Sequence, residues 1–226
     1  EALNMTVTLE KKTLELPLLQ GGMGIGVSRC RLAGAVAHEG AMGVISAAQI
    51  GYDQDDFRLH PESANLRELP RQIKRAKALA FGRGMIGVNI MAVTQLYSQY
   101  VKTACEAGAD AIITGAGLPL SLPQDAMGFD VLLALIVSSA KALQVILKYW
   151  DKKYHRTADF LVVEAPWPGG TWGSPLRRWH TWKRMISAGK SGEWWRRNAF
   201  LRRNTNAPSR CLWQAAFSQK RTSRTP

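Results

Sequence analysis

The chain has 226 residues, 46% of them hydrophobic, so it is long enough for one sizeable domain with a buried core. Its formal net charge of +13 is unevenly distributed: residues 1–166 contain 17 Lys and Arg against 16 Asp and Glu, whereas residues 167–226 contain 13 against one. Seven of the eight tryptophans also lie after residue 166. Two different compositions therefore meet near Pro166.

Cysteine usage and hydropathy exclude several classes of protein. The three cysteines are an odd number without metal-ligand spacing, which argues against a disulfide scaffold and against a structural metal site. No signal peptide is visible, and Met5 is a candidate start with four residues before it. The longest apolar run, residues 129–146, is interrupted by Asp130, Lys141 and two serines, so it is no membrane span. We therefore expect a cytoplasmic protein without membrane contacts.

The first predicted unit is a strand, a glycine turn and a helix. A short apolar run, Leu16–Leu19, is followed by four glycines within residues 21–26. Glycine allows close approach of the backbone to a ligand, and Ser28 stands where a helix N-cap belongs. Such a unit presents amide hydrogens to an anionic ligand, although a tight turn without a ligand explains it equally well. It is not the dinucleotide fingerprint, because Arg29 occupies the position of the third glycine.

Apolar runs alternate with amphipathic segments up to residue 164. Further strands are predicted at residues 42–47, 85–91, 111–114, 131–137 and 160–164, with Asn65 and Thr94 as helix N-caps between them. Near-continuous apolar strands separated by helices are typical of a parallel sheet buried on both faces. Glycine or polar residues follow several strands, which favours a (β/α) barrel whose carboxyl strand ends form the active face. A doubly wound open sheet is the alternative.

Four segments, in this order, resemble one known family. They are Gln20-Gly-Gly-Met-Gly, Gly87-Val-Asn-Ile-Met, Thr114-Gly-Ala-Gly-Leu-Pro and Val137-Ser-Ser. They are similar to the FMN-dependent nitronate monooxygenases, formerly called 2-nitropropane dioxygenases, whose superfamily includes the flavin-containing type II enoyl-ACP reductases. The resemblance covers about residues 14–166 and implies a TIM-barrel-like α/β fold, incomplete here with about six of eight units. It also implies FMN at the carboxyl strand ends, with small-molecule nitronates and O2 as substrates.

The resemblance assigns cofactor-binding roles to residues in four loops. They are Gly22, Met23, Gly24, Asn89, Gly115, Gly117, Ser138 and Ser139. The first three would place backbone against the flavin ring and ribityl chain, and the asparagine would offer its amide to the flavin. The two later glycines would let their loop approach the cofactor or substrate, and the serine pair would hold the ring edge or the phosphate side. Taken alone, the asparagine is better explained as a strand-end residue bonded to a neighbouring loop.

The resemblance ends near Pro166. The family continues with a Gly-Gly-His motif whose histidine is the candidate base, but here Thr171 stands in its place, so no catalytic residue is assigned. Tryptophan has the single codon TGG, so each Trp fixes nearby nucleotides. A frame shifted back by one nucleotide near Pro166 permits Leu-Ala-Gly-Gly-His-Leu-Gly, and two later segments permit an acidic helix and a glycine-containing strand. We therefore interpret residues 167–226 as an irregular, out-of-frame tail without a core of its own.

A basic, tryptophan-rich tail also suits nucleic-acid binding, since cations neutralise phosphates and aromatic rings stack on bases. Its Trp and Arg residues form no helical stripe and no known module, so we expect only incidental, salt-sensitive adhesion to polyanions. The sequence thus predicts an N-terminal segment over residues 1–13, a partial FMN-binding barrel over 14–166, and the tail over 167–226. The function implied is nitronate oxidation, impaired in this chain. The alternatives are a flavin-dependent enoyl-ACP reductase and an inactive truncated product.

Overall fold

The computed structural model of the protein describes residues 6–10, 12–163, 199–203 and 213–216, the last two ranges by their backbone alone. The strands are β1 Val7–Leu9, β2 Lys12–Leu14, β3 Met42–Ser46, β4 Met85–Met91, β5 Ala111–Gly115, β6 Leu132–Val137, β7 Phe160–Val163, β8 Ala199–Arg203 and β9 Trp213–Ala216. The helices are α1 Cys30–His38, α2 Pro61–Ala80, α3 Tyr97–Glu106, α4 Leu122–Asp125 and α5 Ala140–Tyr154. In this described part of the chain, no helix is both long and apolar enough to cross a membrane.

The main sheet follows chain order without a reversal. Its seven strands are arranged β3-β4-β5-β6-β7-β8-β9, and every neighbouring pair from β3 to β8 is parallel. A doubly wound sheet would reverse its order at a switch point, whereas a (β/α) barrel adds its strands consecutively. The arrangement confirms the predicted α/β, TIM-barrel-like fold. The sequence does not predict β8 and β9, and β9 pairs antiparallel with β8, which departs from the barrel pattern.

The predicted first strand is shorter in the structure than in the sequence interpretation. Only Leu19 bridges to Met42, in parallel, with hydrogen bonds from Gln20 N to Met42 O (3.0 Å) and from Met42 N to Leu18 O (2.9 Å). The ladder ends there because the Gln20 side chain, rather than another backbone group, accepts the N–H of Val44 at 3.0 Å. No pairing joins this edge to β9 among the described residues, so the described sheet is open.

Side chains of the sheet alternate between two cores, as the period of a strand requires. One core, which we call the inner core, comprises Leu9, Leu14, Leu19, Met42, Val44, Met85, Ala111, Ile113, Leu132, Ala134, Phe160 and Val162. The intervening residues, such as Ile45, Val88 and Ile112, pack outward against the helices. Trp150 of α5 is fully buried in this outer core, where its Nε1 donates to the Pro119 carbonyl at 3.0 Å.

The amino-terminal end of the sheet is closed by the hairpin of β1 and β2. Leu9 and Leu14 place their side chains in the inner core. Lys12 Nζ, between them, bonds Asp110 Oδ1 at 3.0 Å and the Asp130 carbonyl at 3.3 Å. The hairpin therefore covers the end of the sheet that lies away from the carboxyl strand ends.

Two aspartates fix the register of the strands at the same amino-terminal end. Asp110, just before β5, accepts the Ile86 N–H on Oδ2 (2.8 Å) while its own N–H donates to the Ile86 carbonyl (2.8 Å). Asp159, just before β7, does the same with Leu133, at 2.7 and 2.8 Å. Each aspartate thus makes two bonds to one residue of the preceding strand, and we call these pairs the aspartate clamps.

Candidate active site

The eight residues that the resemblance assigns to cofactor binding all lie at the carboxyl end of the parallel strands. The glycine loop, residues 21–28, follows Leu19, and Asn89 lies near the end of β4. Gly115 ends β5 and Gly117 lies just beyond it, while Ser138 and Ser139 follow β6. The fold therefore gathers residues that are far apart in sequence at one mouth, which we call the carboxyl mouth.

The glycine loop is held from inside by Ser28. The buried Ser28 hydroxyl accepts the N–H of Met23 and the side-chain amide of Gln20, both at 2.9 Å, and donates to the Gly21 carbonyl at 3.3 Å. Its backbone N–H donates to the Met23 carbonyl at 3.0 Å. The prediction that Ser28 caps α1 is therefore wrong: Arg29 is the N-cap residue, and Ser28 instead closes the loop on itself.

A second support comes from the loop after β3. Gly26 has φ +76°, and a Cβ at this position would lie 2.8 Å from the hydroxyl and ring of Tyr52. The Arg29 guanidinium lies 5.4 Å from the Tyr52 ring centroid and bonds Asp53 at 2.6 and 3.2 Å and Glu68 at 3.1 Å. The hydrogen bond from Arg29 holds the pKa of Asp53 below its ordinary value. The two loops and α2 are thus joined through one side chain.

Gly22 and Asn89 are in direct contact at the carboxyl mouth. A Cβ at Gly22 would lie only 2.8 Å from the Asn89 Cβ, so only glycine fits without displacing the asparagine. The Asn89 carbonyl accepts the Ala47 N–H at 3.0 Å, but its half-buried side-chain amide bonds no other described residue. Within the described residues, the N–H groups of Gly22 and Gly24 are also without an acceptor. Unused donors and acceptors therefore converge here.

Ser46 is a candidate site residue that the sequence interpretation missed. It pairs in register with Asn89, and both lie on the inner face. The residue is 8% exposed, its hydroxyl bonds no other described residue, and a Cβ at Gly24 would lie 3.6 Å from its Oγ. In the sequence, Ser46 stands within an apolar run, so it was interpreted only as part of a strand and not as a site residue. The alternation of inward-facing Met42 and Val44 is the signal that identifies it.

The loops after β5 and β6 offer fewer unused hydrogen-bonding groups to a ligand than the glycine loop and Asn89 do. A Cβ at Gly115 would lie 2.8 Å from the Ile136 Cβ, so strand packing alone requires this glycine. Gly117 has φ +138° and packs near Ala92. The Ser139 hydroxyl caps α5 by accepting the Ala142 N–H at 3.2 Å, whereas Ser138 is exposed.

The part of the rim formed by the loops after Leu19, β3, β4 and β5 is largely apolar and carries no charge. Residues 20–28, 46–52, 89–96 and 114–121 contain no Asp, Glu, Lys or Arg. Large exposed apolar side chains lie in these segments, namely Met23, Ile25, Val27, Tyr52, Met91, Val93, Leu96 and Leu118. Behind the sheet, Tyr97 bonds Thr114 at 3.1 Å, and burial raises the pKa of Tyr97, so this phenol stays protonated. The described part of the mouth therefore offers hydrogen bonds in apolar surroundings, without a general base.

A sequence model of nitronate monooxygenases matches residues 6–187, which is most of the chain. The chain belongs to the nitronate monooxygenase family. Its members are oxidoreductases, and the match includes all four segments on which the resemblance rests. Thr171, which the sequence analysis placed at the position of the family's histidine, lies within the matched range but outside the residues that the structure describes.

Solved structures with a similar fold cover part of the chain. FabK from Thermotoga maritima is 22% identical (TM-score 0.49) over 70% of this chain and 43% of that one. Nitroalkane oxidase from Streptomyces ansochromogenes is 18% identical (TM-score 0.48) over 66% and 46%. Inosine 5′-monophosphate dehydrogenase from Legionella pneumophila is 18% identical (TM-score 0.49) over 72% and 44%. The match thus spans less than half the length of each structure, and no curated protein matches the chain.

The chain also has a cavity of about 450 Å³ at the opposite end of β6. None of the predicted site residues lines it. Its two cations are already engaged: Arg156 bonds Asp159 at 2.7 and 2.9 Å, and Lys153 lies over the rings of Tyr149 and Tyr154. Among the described residues there is also no group of three His, Cys, Asp or Glu side chains that would hold a metal ion. The carboxyl mouth is therefore the candidate site.

Proposed function

We propose that this chain carries the ring-binding part of an FMN-dependent nitronate monooxygenase, which oxidises alkyl nitronates with O2. The observation that carries the proposal is the Asn89 amide, which lies against Gly22 without a partner among the described residues at the carboxyl mouth. Because the amide is half-buried and engaged by no described side chain, it is free to exchange water for a ligand, and in a family of flavoenzymes that ligand is expected to be the flavin.

The residues at the mouth fit a flavin ring. A flavin edge alternates hydrogen-bond acceptors and donors, which an amide side chain matches on both counts. Gly22 and Gly24 would add backbone N–H donors, and the absence of a Cβ lets the ring approach. FMN, when bound, supplies the redox chemistry that protein side chains lack. Residues 20–28, 46–52, 89–96 and 114–121 hold no cation for a phosphate, so we assign only the ring to these segments.

The same residues would position the substrate. Apolar side chains such as Met91 and Val93 exclude water and suit an alkyl group. A nitronate is already ionised and needs no base, whereas a neutral nitroalkane must first lose a proton. We infer that activity toward neutral nitroalkanes is the more impaired, because threonine at position 171 cannot take a proton near neutral pH and a general base contributes about 100- to 10,000-fold.

We also propose that the 226-residue chain with its present sequence, which we call the chain as written, binds FMN weakly. If residues 167–226 are out of frame, the family's phosphate-binding glycines are absent. Each lost charge-assisted hydrogen bond costs about 1.5–3 kcal/mol, which is at least a tenfold loss of affinity. Protein expressed as written is therefore expected to be colourless, and the frame-restored protein yellow with bound FMN.

The test compares the two proteins in two assays. The first assay follows O2 uptake with an alkyl nitronate, and the second follows NADH oxidation with an enoyl thioester. Uptake by the restored protein and negligible uptake by the chain as written would support the proposal. Enoyl-dependent NADH oxidation alone would favour the reductase function instead. Equal nitronate oxidation by both proteins, each with stoichiometric FMN, would contradict the frame argument.

A further inference from the structure

We infer that Ser46 is a second polar contact for the flavin ring, beside Asn89. The inference rests on the proposed function and extends it to a residue outside the four family-like segments. Ser46 ends β3, next to Asn89 in β4, and the two are register partners. By the alternation of the strands, both side chains belong to the inner face, one level above the register pair Val44 and Gly87.

The surroundings of the Ser46 hydroxyl point to a ligand rather than to a structural role. The residue is more than nine-tenths buried, yet its hydroxyl bonds no other described residue. Other buried hydroxyls of this fold are engaged: Ser28 makes three side-chain hydrogen bonds, and Thr114 bonds Tyr97. The described side-chain atoms that are shut off from solvent without a partner are Arg29 Nε and His38 Nδ1, so the Ser46 oxygen is open to the mouth. A ligand at the mouth can therefore replace water as its hydrogen-bond partner.

The position of the glycine loop supports the same conclusion. A Cβ at Gly24 would lie 3.2 Å from the Ala48 Cβ and 3.6 Å from Ser46 Oγ, and a Cβ at Gly22 would touch Asn89. The two glycines therefore lie over the two polar side chains in turn. A flat ring lying against this loop would meet both the amide and the hydroxyl.

A structural role and a ligand-binding role predict opposite signs for Ser46→Ala. If the hydroxyl serves only the ligand, its removal breaks no hydrogen bond to a described residue, so the melting temperature of the free protein stays the same or rises. FMN affinity then falls about two- to tenfold, the effect of one net hydrogen bond. If the hydroxyl supports the fold, melting temperature and affinity fall together.

The experiment titrates FMN, up to millimolar concentration, into the full-length protein and its variants, and measures their melting temperatures without ligand. Ser46→Ala is compared with Ser63→Ala, an exposed serine of α2, and with Ser46→Thr, which keeps a hydroxyl. The inference requires weaker binding by Ser46→Ala without loss of melting temperature, no change for Ser63→Ala, and affinity near wild type for Ser46→Thr.

Asn89→Ala separates the two possible failures. If Asn89→Ala weakens binding and Ser46→Ala does not, the Ser46 inference is wrong while the proposed function stands. Parallel losses of affinity and melting temperature in Ser46→Ala would also overturn the inference. If the wild-type protein binds no FMN even at millimolar concentration, the proposed function fails, and the role of Ser46 fails with it.

Discussion

The side-chain carbonyl of Gln20 accepts the backbone N–H of Val44 at 3.0 Å. The amide nitrogen of the same side chain donates to Ser28 Oγ at 2.9 Å and also to the Gly21 carbonyl. One side chain therefore replaces a backbone hydrogen bond between the first strand and β3, and it also closes the glycine loop. Its position at the end of the first strand sets where the ladder stops and where the ligand-facing backbone begins.

Replacement of Gln20 by leucine is expected to lower the free energy of unfolding by about 1–3 kcal/mol, because the Val44 N–H and the Ser28 hydroxyl lose a partner. Gln20→Glu keeps the acceptor for Val44 but cannot donate to Ser28, so an intermediate loss is expected. Urea unfolding measures both. Gln95→Leu, at an exposed position, is the control. A Gln20→Leu protein as stable as the control would contradict this role.

Replacement of Gly22 by alanine is expected to weaken FMN binding at least tenfold. The new Cβ would lie 2.8 Å from the Asn89 Cβ, so the asparagine or the loop must shift. Gly128→Ala is the matched control, because Gly128 has φ +88° and nothing within 4 Å of its Cβ position. The control should cost about 1 kcal/mol of stability, as alanine does in the left-handed region, and leave FMN affinity intact. Equal affinities for the two variants would refute the contact argument.

The Arg29–Asp53 pair predicts a pH dependence of stability. The hydrogen bond from Arg29 lowers the pKa of Asp53 in the folded protein. The pair therefore contributes stability above the unfolded pKa of about 3.9, and the contribution is lost as pH falls through the lower folded pKa. Because the Asp53 side chain is 42% exposed, we expect at most about 1 kcal/mol.

Thermal unfolding of the wild type and of Asp53→Asn, from pH 7 to pH 3, tests this dependence. Wild type should be the more stable near neutrality, and the difference should shrink below about pH 4. Asp55→Asn is the control, since Asp55 is exposed and forms no hydrogen bond or ion pair with other described residues. A difference that is constant over the whole range would show that the carboxylate charge does not matter.

The charge of residues 167–226 predicts adhesion to polyanions. Those residues carry 13 cations and one acid, whereas residues 1–166 are nearly balanced. The full chain should therefore bind heparin at low salt and be released steeply as the salt concentration rises. A protein ending at Pro166 should not be retained. Retention of the shorter protein, or release that is insensitive to salt, would place the interaction elsewhere.

The strands were predictable because burial on both faces leaves a plain signal. The run Met85-Ile-Gly-Val-Asn-Ile-Met is one strand in the structure with the predicted ends, β4, and the run at 131–137 differs from β6 by one residue. The parallel arrangement of the strands was also predictable from the alternation of strands and helices, since consecutive parallel strands need helical connections. Family-like motifs at the strand ends then indicated which end of the sheet faces a ligand.

Helix starts were less predictable, because side chains that suit a cap were used for tertiary contacts. Asn65, predicted as a cap, is buried within α2, where its Oδ1 accepts the Gly51 N–H at 2.8 Å. The helix begins instead at Pro61, which needs no acceptor at its first position. Thr94 is replaced in this role by Leu96. The sequence did not identify Ser46 as a site residue for a related reason. Whether the hydroxyl of a strand serine has a hydrogen-bond partner depends on loops that are distant in sequence.

The aspartate clamps have a consequence for the opposite end of the sheet. Side chains of a strand alternate between its faces, so a slip of β4 by one residue would turn Asn89 outward and an isoleucine or valine inward. Asp110 opposes that slip by its two bonds to Ile86. The Asp110 carboxylate at the amino-terminal end of the sheet therefore fixes which β4 side chains face the ligand at the carboxyl mouth. Asp110→Ala is expected to change ligand preference although Asp110 does not contact the ligand.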